Sequence, residues 1–322
     1  MSIHNRYLLY TVFLVILSVT SAVARESNSN ASATSVPAPV PYKKISFLYY
    51  FYGSGKIRLS MPTDVAVDDD GVYVVDGAHH RIVVFSHKGE IIRTIGSEGN
   101  GKGKMNSPVG LTLANEKIYV ADRKNRLIQI FERDGQFVKQ FNVLSQGKSV
   151  RPVDIAVSEN GREYYVSGNR NHRLMVFNSS GKWLREWGGE GLNQGQFRFP
   201  ASVLRLPDSR IAVVDVLNSR VQIYDKMGGF SAQIGEWGVL PGQLVRPKGV
   251  AIDGSNNIYI SDSYLEVIQV YDDNTRLKYV LQAENKSNNL VTPAGITIDR
   301  QGRLYIAEVL KNRIAVFQLP KR

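Results

Sequence analysis

The sequence predicts an all-β fold, a six-bladed β-propeller of four-stranded antiparallel blades closed by an N-terminal strand in the last blade. Three observations carry this. The stretch from Pro62 to Phe85, PTDVAVDDDGVYVVDGAHHRIVVF, returns in the same grammar five more times. The prolines that open the copies, Pro62, Pro108, Pro152, Pro200, Pro247 and Pro293, stand 46, 44, 48, 47 and 46 residues apart, a step proper to repeat architectures. The first five copies are each followed by one further apolar-alternating run, and the sixth is not.

Within the first copy, Pro62 opens an alternating run through Val65 and Val67, and a polar turn with Gly71 follows. A second run, Val72 to Val75, ends on Asp76, and a hydrophilic loop leads into the third, Arg81 to Phe85. Glu90 to Ile95 and Gln136 to Phe141 are the fourth strands of the first two copies. The sixth copy stops at Phe317-Gln-Leu-Pro-Lys-Arg322, so its outer strand has to come from elsewhere. Ile45 to Tyr52, aromatic and β-prone, lies at the right distance before Pro62 to pair with Ile314 to Phe317 and close the ring. Closure removes edges that would otherwise recruit other chains.

Residues 1–24 read as a signal peptide. Arg6 precedes the apolar run Leu8 to Val19, and Ala22-Val-Ala24 supplies the small residues of a cleavage site. An uncleaved anchor is the alternative, and it would be the chain's one membrane attachment. Residues 25–42, rich in Ser, Ala, Asn and Pro, read as a disordered linker, and residues 43–322 as the propeller. The composition, 43% hydrophobic and 21% charged, is that of a globular domain, and the chain has no cysteine. Disulfides, thiolate chemistry and haem attachment through Cys are thereby excluded, and the ring must be held by packing and strand pairing. An exported, disulfide-free and monomeric protein of a bacterial periplasm or cell exterior is expected.

The end of each second strand is more specific. Asp76-Gly-Ala-His-His-Arg81-Ile, Asp122-Arg-Lys-Asn-Arg126-Leu, Asp215-Val-Leu-Asn-Ser-Arg220-Val and Glu308-Val-Leu-Lys-Asn-Arg313-Ile resemble the core of NHL repeats. So do the Gly-rich passages IGSEGNGKGKMNSP, WGGEGLNQGQFRFP and IGEWGVLPGQLVRP. Copy three departs, with Gly168 in place of the acid, and copy five departs, with Val267 in place of the arginine. The Asp–Arg pairs recur from blade to blade, as a structural device does, and the Gly-rich passages read as flexible connectors.

Loops between second and third strands and the linkers between blades should share one face of the disc. Arg123, Lys124, Arg170, His172, Trp187, Trp237 and Lys311 are the binding candidates there. Arg205 joins them because it stands where the other blades carry Val67, Leu113, Val157, Ile252 and Ile298. The resemblance implies two metal-dependent alternatives: lyases of peptide amidation with a histidine-bound zinc, and six-bladed lactonases with a central calcium. For zinc only His79 or His80 and His172 are placed to contribute, and for calcium only Asp64 and Asp154 among the six equivalent first-strand positions. No cofactor is therefore expected.

The formal net charge is +11, and removing residues 1–24 takes away Arg6 alone. Some cytoplasmic relatives bind single-stranded RNA, which is the second alternative; export argues against nucleic acid. The leading expectation is a non-catalytic propeller that binds a protein or an acidic polysaccharide at the cell envelope. The resemblance implies a scaffold or sensor, and for some such proteins service to an envelope redox system.

Overall fold

The computed structural model describes residues 41–320. The expected signal peptide, and the expected linker up to residue 40, lie outside the described residues.

The strands form where apolar side chains can be covered. In blade 1 the second and third strands, Val72–Asp76 and Arg81–Phe85, are buried almost throughout, while the fourth, Ile91–Ile95, alternates. Blade 4 repeats the gradient in Ile211–Asp215, Arg220–Tyr224 and Phe230–Ile234. Middle strands have a neighbouring blade on both faces and so read as continuous apolar runs, whereas outer strands keep period two. The core is accordingly not central. Six clusters of buried side chains each join two successive blades. Tyr73, Ile82 and Val84 of blade 1 meet Leu111, Ile118 and Val120 of blade 2, and Tyr305 and Val316 of blade 6 meet Val65 and Phe85 of blade 1. The first strands are left lining a channel.

Blades 1 to 4 are separate four-stranded sheets, but blades 5 and 6 are fused into one eight-stranded sheet by the N-terminal strand Tyr42–Phe51. Ser46 to Phe51 pairs antiparallel with Gln318 to Ile314 and supplies the missing outer strand, with a bulge between Phe47 and Tyr49. Tyr42 to Ile45 instead lies parallel to Val280–Ala283 of blade 5, a pairing that the sequence did not announce. The strand thus starts three residues before Ile45, and Tyr42, expected as linker, is already in it. Ile45 and Phe51 are its buried anchors. Arg313 lies 3.5 Å from the Tyr50 ring centroid, a cation–π contact across the closing pair.

The acid at the end of the second strand ties the incoming linker to its own blade. Asp76 accepts the Ser60 N–H at 2.7 Å, Asp122 that of Asn106 at 2.9 Å, Asp215 that of Arg198 at 2.6 Å, and Glu308 that of Val291 at 2.7 Å. Arg81, Arg220 and Arg313 pair with their acids as expected. Arg126 does not, because it stands four residues after its acid rather than five, in a loop of the same length, and Leu127 takes the place of the pairing arginine; Asn125 and Gln129 donate to Asp122 instead. Arg126 takes the left-handed position that His80, His172, Ser219, Glu266 and Asn312 occupy in the other blades.

That left-handed residue is a latch to the next blade. His80 Nδ1 accepts the Ser107 N–H at 2.8 Å, His172 Nδ1 the Phe199 N–H at 3.2 Å, and Asn312 Oδ1 the Met61 N–H at 2.8 Å. Each donor immediately precedes a blade-opening proline, so the chain is held as it turns into its next first strand.

The Gly-rich linkers are anchored rather than loose. Met105, Phe197 and Leu244 are fully buried, and each linker closes on itself through an isolated bridge. Buried Gln129, Gln222 and Gln269 accept an N–H of the linker and donate to a carbonyl of it, as Gln222 does with Gly195 N–H and Gln196 C=O. A Cβ on Gly191 would stand 2.0 Å from Gln196 Oε1, at a backbone φ of +158°, which explains that glycine.

Candidate functional site

A cavity of about 940 Å³ opens on the channel mouth, at the face that receives the second-to-third-strand loops and the linkers. Every blade contributes to it. Arg123 and Lys124 come from the blade 2 loop, Arg246 from the linker into blade 5, Lys248 from the first strand of blade 5, and His80 from blade 1. Among the described residues, none of those four lysines and arginines stands in an ion pair. Burial lowers the proton affinity of Arg123, and the charges of Arg151 and Arg170 lower it further. Burial likewise lowers that of Lys248, with Arg246 acting in the same direction and Asp262 against it. The mouth is a gathering of like charge.

The two carboxylates in the cavity are spoken for. Asp64 accepts the N–H of its neighbour Val65 at 2.9 Å and of Leu111 in blade 2 at 2.9 Å. Asp154 accepts those of Ile155 at 2.8 Å and Val203 in blade 4 at 2.8 Å, together with the Ser202 hydroxyl. Each is a clamp from one first strand to the next. Gly295 and Gly110 leave room for them, since a Cβ there would stand 2.1 Å from Asp64 Oδ1 and 2.5 Å from Asp154 Oδ1.

Burial raises the pKa of both acids, that of Asp154 to about 7, and Asp154 raises that of Asp64 further by charge repulsion. Unfolded aspartate titrates near 3.9, so between about pH 4 and the raised value the folded chain holds more protons than the unfolded one. Stability from this pair is therefore full at the acid end and lost as pH rises through the folded pKa. The melting temperature of Asp154→Asn is expected to fall less between pH 5 and pH 8 than that of the parent; an identical slope would refute the assignment.

The structure distributes the other candidates. Arg170 is exposed and near enough to Arg123 for their charges to interact, whereas Lys311 and Trp237 are exposed on the linkers and loops without lining the cavity. Three candidates are engaged within the fold. Trp187 is in a fourth strand, Trp183–Gly188, packed against Tyr165 and Tyr224 in the seam of blades 3 and 4. His172 is spent as a latch, its ring edge-on to Phe199. Arg205 lies at the far end of its strand, bonded to Glu159 at 2.7 Å in a second cavity with Arg162, Arg185 and Lys226. Lys248 was missed, although the position after the opening proline is Thr, Val, Val, Ala and Ala in the other five blades, a signal that was there to read.

Neither implied metal fits. His80 and His172 use Nδ1 on backbone N–H groups, His79 bonds to Asp76 at 2.9 Å, and the two channel acids are clamps. Among the described residues no three His, Asp or Glu side chains converge as a metal would need.

Residues 59–85 match the model of the NHL repeat, and residues 200–286 match a model described as a 6-bladed beta-propeller. The chain is a β-propeller that carries an NHL repeat. This NHL propeller is 37% identical over 89 residues to the protein brain tumor of Drosophila melanogaster, covering 27% of this chain and 9% of that protein. It is 38% identical over 61 residues to the B-box type zinc finger protein ncl-1 of Caenorhabditis elegans, covering 19% and 7%. The chain thus spans under a tenth of either relative. Among solved structures, a Bacteroides thetaiotaomicron protein of unknown function superposes with TM-score 0.63 at 16% identity, over 82% of this chain and 70% of that one. A streptogramin B lyase does so with TM-score 0.60 at 15% identity, over 84% and 98%. The virginiamycin B lyase of Staphylococcus aureus gives 0.56 at 17%, over 80% of each. At these identities the NHL propeller shares their fold, and its chemistry has to be read from its own mouth.

Proposed function

We propose that this NHL propeller is an exported, non-catalytic binding protein that docks an acidic partner, a protein surface or a polysaccharide, over the channel mouth. The observation that carries this reading is the set Arg123, Lys124, Arg246 and Lys248, which faces one cavity without carboxylate partners while the acids beside it hold backbone N–H groups. Cations gathered without counter-charge make a field that an anionic surface relieves, raising both encounter rate and specificity. Binding rather than catalysis is favoured because the polar groups an enzyme would use are committed: His80 and His172 to latches, Asp64 and Asp154 to clamps. Export is supported by the N-terminal sequence, Arg6 followed by Leu8 to Val19 and Ala22-Val-Ala24.

The test begins with capture of partners from the exported fraction by the full chain. Reversing Arg123 and Lys124 to Glu is expected to weaken the captured complex at least tenfold and to flatten its dependence on salt, which screens exposed charge. Suitable controls are Lys88→Glu and Lys182→Glu, both in exposed turns of the opposite face. Arg303 is not one, because it is bonded to Asp299 at 2.5 Å and its reversal would set two acids together. Equal losses from the control pair, or affinity indifferent to salt, would refute the assignment of this face.

A further inference from the structure

The cations of the mouth are not spread evenly around it. Arg123 and Lys124 belong to blade 2, Arg246 and Lys248 to blade 5, and three steps in a ring of six place those blades opposite each other. Blades 4 and 6 flank the gap with apolar side chains, Ala201, Val216 and Leu217 on one side and Ala294 and Val309 on the other. One position further down the first strands stand Asp64 and Asp154, whose carboxyl oxygens already accept backbone N–H groups of the neighbouring blades. The volume, about 940 Å³, is within the range of small-molecule sites.

We infer that the mouth takes a ligand with an anionic group at each end and an apolar middle, of the aliphatic α,ω-dicarboxylate class, lying across the channel with one end on Arg123 and Lys124 and the other on Arg246 and Lys248. This rests on the reading of the mouth as the anion-binding face. Each carboxylate accepts charge-assisted hydrogen bonds from its pair of cations, and the chain between them covers the apolar walls. Length is the selective variable: a chain too short reaches one wall only, and a monocarboxylate can satisfy only one end. The crowding of Arg151 and Arg170 upon Arg123, and of Arg246 upon half-buried Lys248, is relieved when the anions arrive.

The experiment is calorimetric titration of the full chain with α,ω-dicarboxylates of increasing length, and with monocarboxylates of equal carbon number, at fixed ionic strength. One site per chain is expected, with an optimum length that binds at least tenfold more tightly than the matched monocarboxylate. Arg123→Gln with Lys124→Gln, and separately Arg246→Gln with Lys248→Gln, should each bring the dicarboxylate down to the monocarboxylate level; the exposed single changes Lys124→Gln and Arg246→Gln give the same direction if a double variant melts early. Lys88→Gln with Lys182→Gln should change nothing. Equal binding of mono- and dicarboxylates, loss from only one wall, no binding at any length, or an equal loss from the control pair would overturn the inference. A partner still captured in a salt-dependent way while dicarboxylates fail would sink this inference alone, and dicarboxylate binding with no captured partner would sink only the docking reading.

Discussion

A chain that begins at Ser60 is expected to melt at least about 10 °C below one that begins at Val40, or to aggregate before it melts, given roughly 2 °C per kcal/mol for domains of this size. The truncation removes Ile45 and Phe51, both buried, from the seams of blades 5 and 6 and of blades 6 and 1. Loss of a buried Phe side chain alone costs about 3–5 kcal/mol in well-packed cores. It also bares the outer edges of Arg313–Gln318 and of the Val280–Ala283 segment, which the N-terminal strand covers together. Phe51→Ala should reproduce about half of the loss without exposing an edge, which separates packing from closure. Equal melting temperatures for the two chain lengths would show that blade 6 is stable as three strands.

Asp215→Ala is expected to destabilise by about 3–5 kcal/mol, the range for leaving a buried charge without its partner. Arg220 is buried and donates to Asp215 at 3.0 Å, and the Arg198 N–H and Asn218 side chain lose their acceptor as well. Burial raises the pKa of Asp215, while those three donors and the charge of Arg220 lower it, so removing the acid orphans the groups that oppose desolvation. Replacing Asp215 and Arg220 together by Leu should recover part of the loss, since the unpaired charge is then gone. A double variant no more stable than Asp215→Ala, measured by urea unfolding, would place the energy in the linker contact rather than in the ion pair.

The blades were legible because each buries its middle strands on both faces and so writes the same apolar run six times. The acid device was legible in Asp76, Asp215 and Glu308 but misread at Asp122, where the arginine stands one position earlier in a loop of equal length and so falls on the left-handed residue, with Leu127 at the pairing position. Trp187 was misplaced because a fourth strand that runs into Gly188 and Gly189 looks like the start of a loop. Gln129, Gln222 and Gln269 went unread: a polar residue inside a strand looks like a solvent-facing position, and only the linker folded over it explains its burial. Arg205 stood out correctly as an oddity, but alternation along a strand says nothing about which end of a channel a residue serves. Opposition of blades 2 and 5 depends on ring closure, which no local pattern encodes.

The N-terminal strand also sets the order in which the molecule can be completed. It pairs residue 46 with residue 318 and residue 51 with residue 314, so the first of the described strands to leave the ribosome waits for the last of them. The middle blades are made of hairpins between neighbours in sequence and can form as they emerge, whereas this one pairing spans nearly the whole described chain and carries the largest loop-closure entropy. Until the final repeat arrives, an aromatic β-prone segment stays unpaired, the kind of segment that engages chaperones or other nascent chains. Refolding should therefore show a slow phase reported by Tyr50 and its neighbours, and a chain permuted to place residues 41–59 after Leu319 should lose that phase while keeping the same ring.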